Sequence, residues 1–223
     1  MNDSIQLQNN FYTELPCDFY KSISKTLNPV RRYFHEYRLA TIRKLVEKFY
    51  EPGQSIADAG CGNCMWNFNK LPVIGIDINK KYLDAAKRKS RKLTNVKFIH
   101  VNAEKLIGTF EEDRFQKSIA LWNTMACVSN DQKCIKQIAS VVRDGFFFTV
   151  NKKGTLKLRE KYYKTLGIKY RIDKETETIF SSQWGATRAY SRYEIEKMVK
   201  NSGFKISKIQ LIFNIIYAVY LEK

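Results

Sequence analysis

The sequence predicts a doubly wound, Rossmann-like α/β fold that ends in an antiparallel hairpin. Short apolar runs alternate with helical segments, which is the order typical of a parallel sheet with helices on both faces. The first run ends in an acid and a Gly-x-Gly turn, and the second run ends in another acid. The last two apolar runs have no helix between them, which favours a hairpin.

Residues 1–50 precede the first predicted strand and are rich in aromatic side chains. Apolar residues recur there at helical spacing, and Pro52-Gly53 ends the pattern. We expect residues 1–50 to form a helical lid that includes Tyr12 and Tyr20, and residues 51–223 to form a single ligand-binding domain. The periodic positions are Val30, Tyr33, Phe34, Tyr37, Ile42, Leu45, Val46 and Phe49.

The predicted sheet occupies the central part of the chain. Five apolar runs are predicted as strands, spanning residues 55–58, 73–78, 96–101, 117–122 and 145–150. Helices are predicted from about Met65, over residues 80–92 and over residues 131–142. The carboxyl ends of parallel strands meet at one edge of a sheet, so Asp58 and Asp77 should lie close together.

The pattern changes after Val150. We predict a lysine-rich helical piece to about Tyr163, a polar extended stretch over 169–184 and a helix over 190–201. Ser191 and Glu194 have the spacing of a capping box, and Gly203 stands where a helix stop is expected. Two strands, over residues 205–209 and 213–221, should then pair as the terminal hairpin.

Composition limits the class of protein. A chain of 223 residues is long enough for one α/β domain with a substantial core. The N-terminal stretch has no apolar run long enough for a signal peptide or membrane span, and the five cysteines follow no disulfide pattern, so we expect a cytoplasmic location. The net charge of +17 indicates either a lysine-rich solvated surface or attraction to RNA or an anionic membrane surface.

The two strand-terminal acids indicate a nucleoside-containing ligand. Asp77 stands where a carboxylate accepts hydrogen bonds from both ribose hydroxyls. Asp58, directly before the glycines, would repel a pyrophosphate and instead suits a ligand that carries an ammonium group. The missing side chains of Gly60 and Gly62 let backbone amides approach that ligand.

These segments carry a family resemblance. D-A-G-C-G-N-C at residues 58–64 and G-I-D-I-N at residues 75–79 resemble motifs I and II of the class I S-adenosylmethionine-dependent methyltransferases. The resemblance implies a seven-stranded methyltransferase sheet with S-adenosylmethionine as cofactor. It implies cofactor contacts from Asp58, Ala59, Gly60, Cys61, Gly62, Asp77 and Ile78.

The chain departs from the family pattern at two places. Cys64 stands where the family often has a third glycine, and Asn102-Ala103-Glu104 stands in place of the adenine-contacting D-A-E segment. An Asn carbonyl oxygen can still accept a hydrogen bond from the adenine amino group. The resemblance therefore still implies adenine recognition by Asn102, Ala103 and Glu104.

Further candidates lie at the end of the fourth strand and near the N-terminus. Trp122 either stacks on adenine, shapes the acceptor pocket or is a core aromatic, and Asn123 should face the crevice. Asn28-Pro29-Val30-Arg31 is similar to an N-P-L-R segment of polyprenyl-phenol O-methyltransferases of quinone biosynthesis. That similarity implies that Arg31, or Arg38, pairs with the methionyl carboxylate; the alternative is a solvated basic helix face.

The acceptor chemistry is less specified. If a hydroxyl is methylated, His35 on the lid is the candidate general base, with a structural role as its alternative. Cys61-Gly62-Asn63-Cys64 has dithiol spacing, but no proline follows the βαβ unit as a thioredoxin-like site requires, and no second ligand pair predicts a zinc or other metal site.

We expect an S-adenosylmethionine-dependent methyltransferase acting on a small-molecule or lipid-like acceptor. The N-P-x-R segment and the aromatic lid favour this prediction. Two alternatives are an RNA methyltransferase, favoured by the charge, and a catalytically silent cofactor-binding protein, which the Cys64 and Asn102 departures allow.

Overall fold

The computed structural model describes residues 28–32, 38–51, 53–62, 72–181 and 185–223. Tyr12, Tyr20, His35, Cys64 and the helix predicted from about Met65 lie outside these residues. Two helices precede the sheet, α1 (Pro29–Arg32) and α2 (Arg38–Phe49). No helix in the described ranges is long and apolar enough to cross a membrane.

Five parallel strands form the centre of the main sheet, as predicted. They are β1 (Ile56–Ala59), β2 (Val73–Asp77), β3 (Val96–His100), β4 (Phe115–Ala120) and β5 (Val142–Lys152), in the order β3-β2-β1-β4-β5. Helix α3 (Lys80–Lys89) connects β2 to β3, and helix α4 (Asp131–Val141) leads into β5. The doubly wound fold class is confirmed.

The C-terminal part completes the sheet on its β5 side. It contains α5 (Leu156–Thr165), β6 (Tyr170–Asp173), β7 (Thr178–Ser181), β8 (Gly185–Thr187), β9 (Ala189–Tyr190), α6 (Arg192–Val199), β10 (Lys205–Ile212) and β11 (Ile216–Glu222). Strand β11 runs antiparallel to β5, and β10 pairs antiparallel with β11. The predicted hairpin is therefore present and forms one side of the sheet.

Two elements differ from the sequence prediction. The stretch over 169–184, expected to be merely extended, contributes to a separate three-stranded antiparallel sheet, β6-β7-β8, whose first turn is held by the Asp173 carboxylate accepting from Glu175 N and Thr176 Oγ1. Strand β4 ends at Ala120 and not at residue 122, because Trp122 and Asn123 have left-handed φ values of 56° and 71°.

The core lies on both faces of β5. Phe146 and Phe148 are fully buried on one face with α4 and α6, while Phe147 is fully buried on the other face with α2 and α5. Burying each ring contributes about 1.5–3 kcal/mol to folding relative to an exposed side chain. This packing holds the carboxyl edge of the sheet rigidly in place.

The last helix confirms a local prediction. Ser191 Oγ accepts from Glu194 N at 3.2 Å, and Glu194 Oε2 accepts from Ser191 N at 2.7 Å, so the capping box of α6 is complete. Gly203, with a φ of 93°, follows the end of the helix and leads into β10. A capping box satisfies two backbone donors that would otherwise lack partners, which is why the boundary was visible in the sequence.

Candidate active site

The candidate site lies at the carboxyl edge of β1, β2 and β4. Strand β1 pairs with β2 on one side and with β4 on the other, in parallel register. The chain therefore brings the acid of β1, the glycine turn after it, the acid of β2 and the residues after β4 to one edge, as expected for a doubly wound sheet.

The glycine turn after β1 is held from two sides. Gly60 N and Cys61 N both donate to Ile76 O of β2, at 2.7 and 3.0 Å. Gly60 has a φ of 73°, and a Cβ there would lie 2.5 Å from Cγ2 of Thr124, in the 3₁₀ turn after β4. A side chain at this position would clash with Thr124, so only glycine fits.

Gly62 faces open space. Its φ is 56°, and a Cβ there would meet no described atom within 4 Å. Its amide donates to Asp77 Oδ2 at 2.8 Å. The turn thus presents backbone close to the ribose acid while leaving room above it, which is a cradle for a ligand.

Asp77 links the turn to the start of α3. Its Oδ1 accepts from Asn79 N at 2.8 Å, and its Oδ2 accepts from Gly62 N. Burial raises the pKa of Asp77 above its ordinary value, although these backbone donors and His100 act in the opposite direction. The carboxylate is fixed in orientation by two amides before any ligand arrives.

Asp58 is a buried carboxyl with an unsatisfied oxygen. The residue is 1% exposed, and its Oδ2 has no hydrogen-bond partner among the described residues. Burial, and then the charge of Asp77, raise the pKa of Asp58 to about 8. Tyr50, at the end of α2, is buried nearby, and burial followed by the charge of Asp58 raises its pKa. A cationic group beside Asp58 would offset the cost of ionising it.

The segment after β3 is fixed by its own side chains. Asn102 Oδ1 accepts from Glu104 N at 2.8 Å. Glu104 is 6% exposed, and its carboxylate accepts from Ser129 N, Ser129 Oγ and Asn130 N at 2.6–3.1 Å. Ala103, between them, packs against the core. Glu104 therefore ties this loop to the start of α4.

The segment after β4 has an unusual backbone. Left-handed φ values are uncommon outside glycine, and a bulky residue such as Trp122 adopts one only when its surroundings enforce it. Asn123 contributes to that enforcement, because its Oδ1 accepts from Asn151 N of β5 at 2.9 Å. Asn123 is 5% exposed, and its Nδ2 has no partner in the part of the chain that the structure describes.

Arg159 is a residue of the site region that sequence reasoning missed. It lies on α5, is 2% exposed, and donates to the backbone carbonyls of Glu177 and Thr187. Tyr163, one turn later on the same helix, bonds through its hydroxyl to Thr187 Oγ1 at 2.9 Å. The spacing of an arginine and a tyrosine four residues apart on one helix face was the available signal.

Several predicted site residues have no described side chain. Arg31 and Arg38 belong to α1 and α2, but only their backbone is described, and His35 lies outside the described residues. Within the described ranges, no group of three or more His, Cys, Asp or Glu side chains could hold a metal ion. The residues brought together are thus Asp58, Gly60 to Gly62, Asp77 and Asn123.

Comparisons with known proteins agree with this geometry. Residues 51–203 match the model of a methyltransferase domain family. An uncharacterised protein of Methanocaldococcus jannaschii is 26% identical over 200 residues, covering 85% of this chain and 76% of that protein.

Solved structures share the fold at low identity. Magnesium protoporphyrin IX methyltransferase from Synechocystis, with bound S-adenosylhomocysteine, superposes with a TM-score of 0.71 at 16% identity, covering 98% of this chain and 99% of that one. The PH0226 protein of Pyrococcus horikoshii superposes with a TM-score of 0.69 at 21% identity, covering 95% and 97%.

Proposed function

Since this chain belongs to the methyltransferase domain family and is an S-adenosylmethionine-dependent methyltransferase, we propose that its methyl acceptor is a small or lipid-like molecule. The observation that carries the cofactor assignment to residues is the pair of buried acids at adjacent strand ends, Asp58 and Asp77. The acceptor assignment is supported by the apolar surroundings of the crevice.

The described residues fit S-adenosylmethionine. Asp58 Oδ2 is buried without a described partner, which suits the cofactor's ammonium group. Asp77 is held by two amides in an orientation that suits ribose hydroxyls, and Gly62 leaves room for a ligand beside it. Ala59, Cys61, Ile78, Asn102, Ala103 and Glu104 belong to the same proposed cofactor site.

Bound S-adenosylmethionine supplies an activated sulfonium methyl group, so the protein's task is to orient the reactants and exclude water. Asp58 and Asp77 bind and orient the polar groups of the ligand. Thr124 braces the glycine turn from the side of β4. We assign Asn123 to the same crevice, because its buried Nδ2 offers a hydrogen-bond donor at the end of β4.

An apolar cluster supports a small or lipid-like acceptor. It joins α2, α5, β7 and the tip of the terminal hairpin, and Trp122 is half-buried against it. The Synechocystis protein acts, by its name, on a protoporphyrin, which is a large apolar ring compound. A site that excludes water over an apolar acceptor also favours in-line methyl transfer.

We propose that residues 1–50 cover this crevice as a lid and residues 51–223 form the catalytic domain. Helix α1 contacts α5, and Val30 packs against the apolar cluster, which supports a position on the acceptor side. Arg31 or Arg38 would then pair with the methionyl carboxylate, and His35 is the proposed base for a hydroxyl acceptor. A cytoplasmic location is proposed from the free thiols of Cys61, Cys127 and Cys134.

RNA is the second candidate acceptor. Helix α3 ends with three cations, Lys87, Arg88 and Lys89, all of them exposed, and the chain carries a net charge of +17. A silent cofactor-binding protein is the third candidate, and it predicts binding without turnover.

One experiment separates the three candidates. The protein and cofactor carrying a labelled methyl group are incubated with metabolite, lipid and RNA fractions. We expect label in the metabolite or lipid fraction with the wild type and with Asp144→Asn, an exposed control far from the site. Asp77→Ala should reduce that label strongly. Label confined to RNA would contradict the proposed acceptor, and no label in any fraction would favour the silent protein.

A further inference from the structure

A cavity lies beside the start of α3, next to the proposed cofactor site. Its volume is about 660 Å³, which is within the range of small-ligand pockets. It is lined by Ile78, Asn79, Lys80, Lys81, Asp84, Arg88 and His100. Apart from Ile78, these residues have no role in the proposed methyl transfer.

The charges around this cavity are arranged against the stability of the helix. The first turn of α3 begins with Lys80 and Lys81 and carries no acidic residue. The amino end of a helix is its positive end, so cations there are unfavourable. Arg88 adds a third cation to the lining, and Asp84 is the one acid among the lining residues. An external anion would reverse this unfavourable balance.

Asn79 provides a second and independent indication of a ligand. It lines the cavity, is 7% exposed, and caps α3 by accepting from Tyr82 N at 3.2 Å through Oδ1. Its Nδ2 is buried and has no hydrogen-bond partner among the described residues. A buried amide donor without an acceptor is costly, and an anionic oxygen would satisfy it.

We propose that this cavity binds the phosphate group of a small phosphorylated ligand. Asn79 Nδ2, the ammonium groups of Lys80 and Lys81 and the guanidinium of Arg88 would supply donors, together with the positive end of α3. The ribose and adenine expected beside Asp77 are uncharged, so the cofactor leaves these cations without an anionic partner. This inference goes beyond the proposed function and does not require methyl transfer.

The shape of the site favours a small ligand over an extended polyanion. The lining residues enclose a concave space at the end of β2 and β3 rather than a flat basic surface. His100, at the end of β3, closes one side, and its Nε2 lies 2.7 Å from Ile78 O, which fixes the ring orientation. A free phosphate ester fits such a cavity, whereas a membrane surface would meet only the outer lysines.

The test measures binding of inorganic phosphate to the full chain by calorimetry at constant ionic strength, with chloride as the balancing anion. We expect the dissociation constant to rise about tenfold or more in Lys80→Gln/Arg88→Gln, since two charged donors are lost. The matched control is Lys44→Gln/Lys48→Gln, which removes two exposed cations of α2, and it should bind like the wild type.

Asn79→Asp separates binding from stability. An aspartate keeps the oxygen that caps α3 and suits the positive end of the helix, so the melting temperature should be unchanged or higher. The added carboxylate should nevertheless abolish phosphate binding. Equal phosphate affinity in the wild type, in Asn79→Asp and in Lys80→Gln/Arg88→Gln would overturn the proposal.

Two further arms distinguish the source of the phosphate. Phosphatidic acid vesicles and a uridine-rich RNA are titrated under the same conditions. Weak binding of both, unchanged in Asn79→Asp, supports the small-ligand site. Tight RNA or vesicle binding that Asn79→Asp abolishes, with no binding of inorganic phosphate, would overturn it. Calorimetry with S-adenosylmethionine should give wild-type affinity for Lys80→Gln/Arg88→Gln, so failure here is separable from failure of the proposed function.

Discussion

Replacing Asp58 by Asn should stabilise the cofactor-free protein, and the gain should grow with pH. Burial raises the pKa of the folded Asp58 to about 8, whereas an unfolded aspartate titrates near 3.8. The folded state therefore holds a proton that the unfolded state releases over this range. The stability that Asp58 allows is fully present below about pH 4 and is lost as the pH rises towards 8.

The magnitude follows from the size of the shift. Each pH unit above the unfolded pKa costs about 1.4 kcal/mol until the folded group also ionises. At pH 7 the penalty is on the order of 4 kcal/mol of unfolding free energy. Asn has the shape of the protonated acid and carries no such penalty, so Asp58→Asn should match the wild type near pH 4 and exceed it at pH 7.

Urea unfolding followed by circular dichroism between pH 4.5 and 8 measures this difference. The difference in unfolding free energy between Asp58→Asn and the wild type should rise by about 1.4 kcal/mol per pH unit. Asp144→Asn, which changes an exposed aspartate, should show no such trend. A difference that stays constant with pH would refute the assignment of Asp58 as a buried group that is protonated at neutral pH.

Three other changes test separate parts of the structure. Gly60→Ala should cost about 1–3 kcal/mol of unfolding free energy, and Thr124→Ala should restore part of it by removing the clash while the positive φ remains unfavourable. Arg159→Leu should destabilise the protein by about 2–5 kcal/mol through loss of charged bonds to two carbonyls, measured by urea unfolding, and should expose the β6-β7-β8 sheet to hydrogen exchange. Deleting residues 1–27 should preserve the circular dichroism spectrum and lower turnover; full turnover would contradict the proposed lid.

Local patterns made part of the fold predictable. Asp58 and Asp77 were visible because each ends an apolar run, and their glycine turn has a conformation that few other residues adopt. The capping box of Ser191 and Glu194 was visible because both partners lie within one turn of chain. Such features depend on neighbouring residues, so sequence reasoning could reach them.

Features set by distant contacts could not be predicted. The left-handed backbone at Trp122 and Asn123 depends on a bond to Asn151, 28 residues away. Arg159 looked like one more solvated cation, because its burial depends on carbonyls 18 and 28 residues further along the chain. The unpaired Nδ2 of Asn79 likewise exists only once β2 and α3 are packed.

The most direct test of the central claim is calorimetric titration of S-adenosylmethionine into the wild type, Asp58→Ala, Asp77→Ala and the Asp144→Asn control. Asp77→Ala should lose roughly 1.5–3 kcal/mol of binding free energy, because hydrogen bonds to a charged acceptor are removed. Asp58→Ala should also weaken binding, through loss of the partner of the ammonium group, and the control should bind like the wild type. Unchanged affinity in both Asp58→Ala and Asp77→Ala would contradict the assignment of the cofactor site.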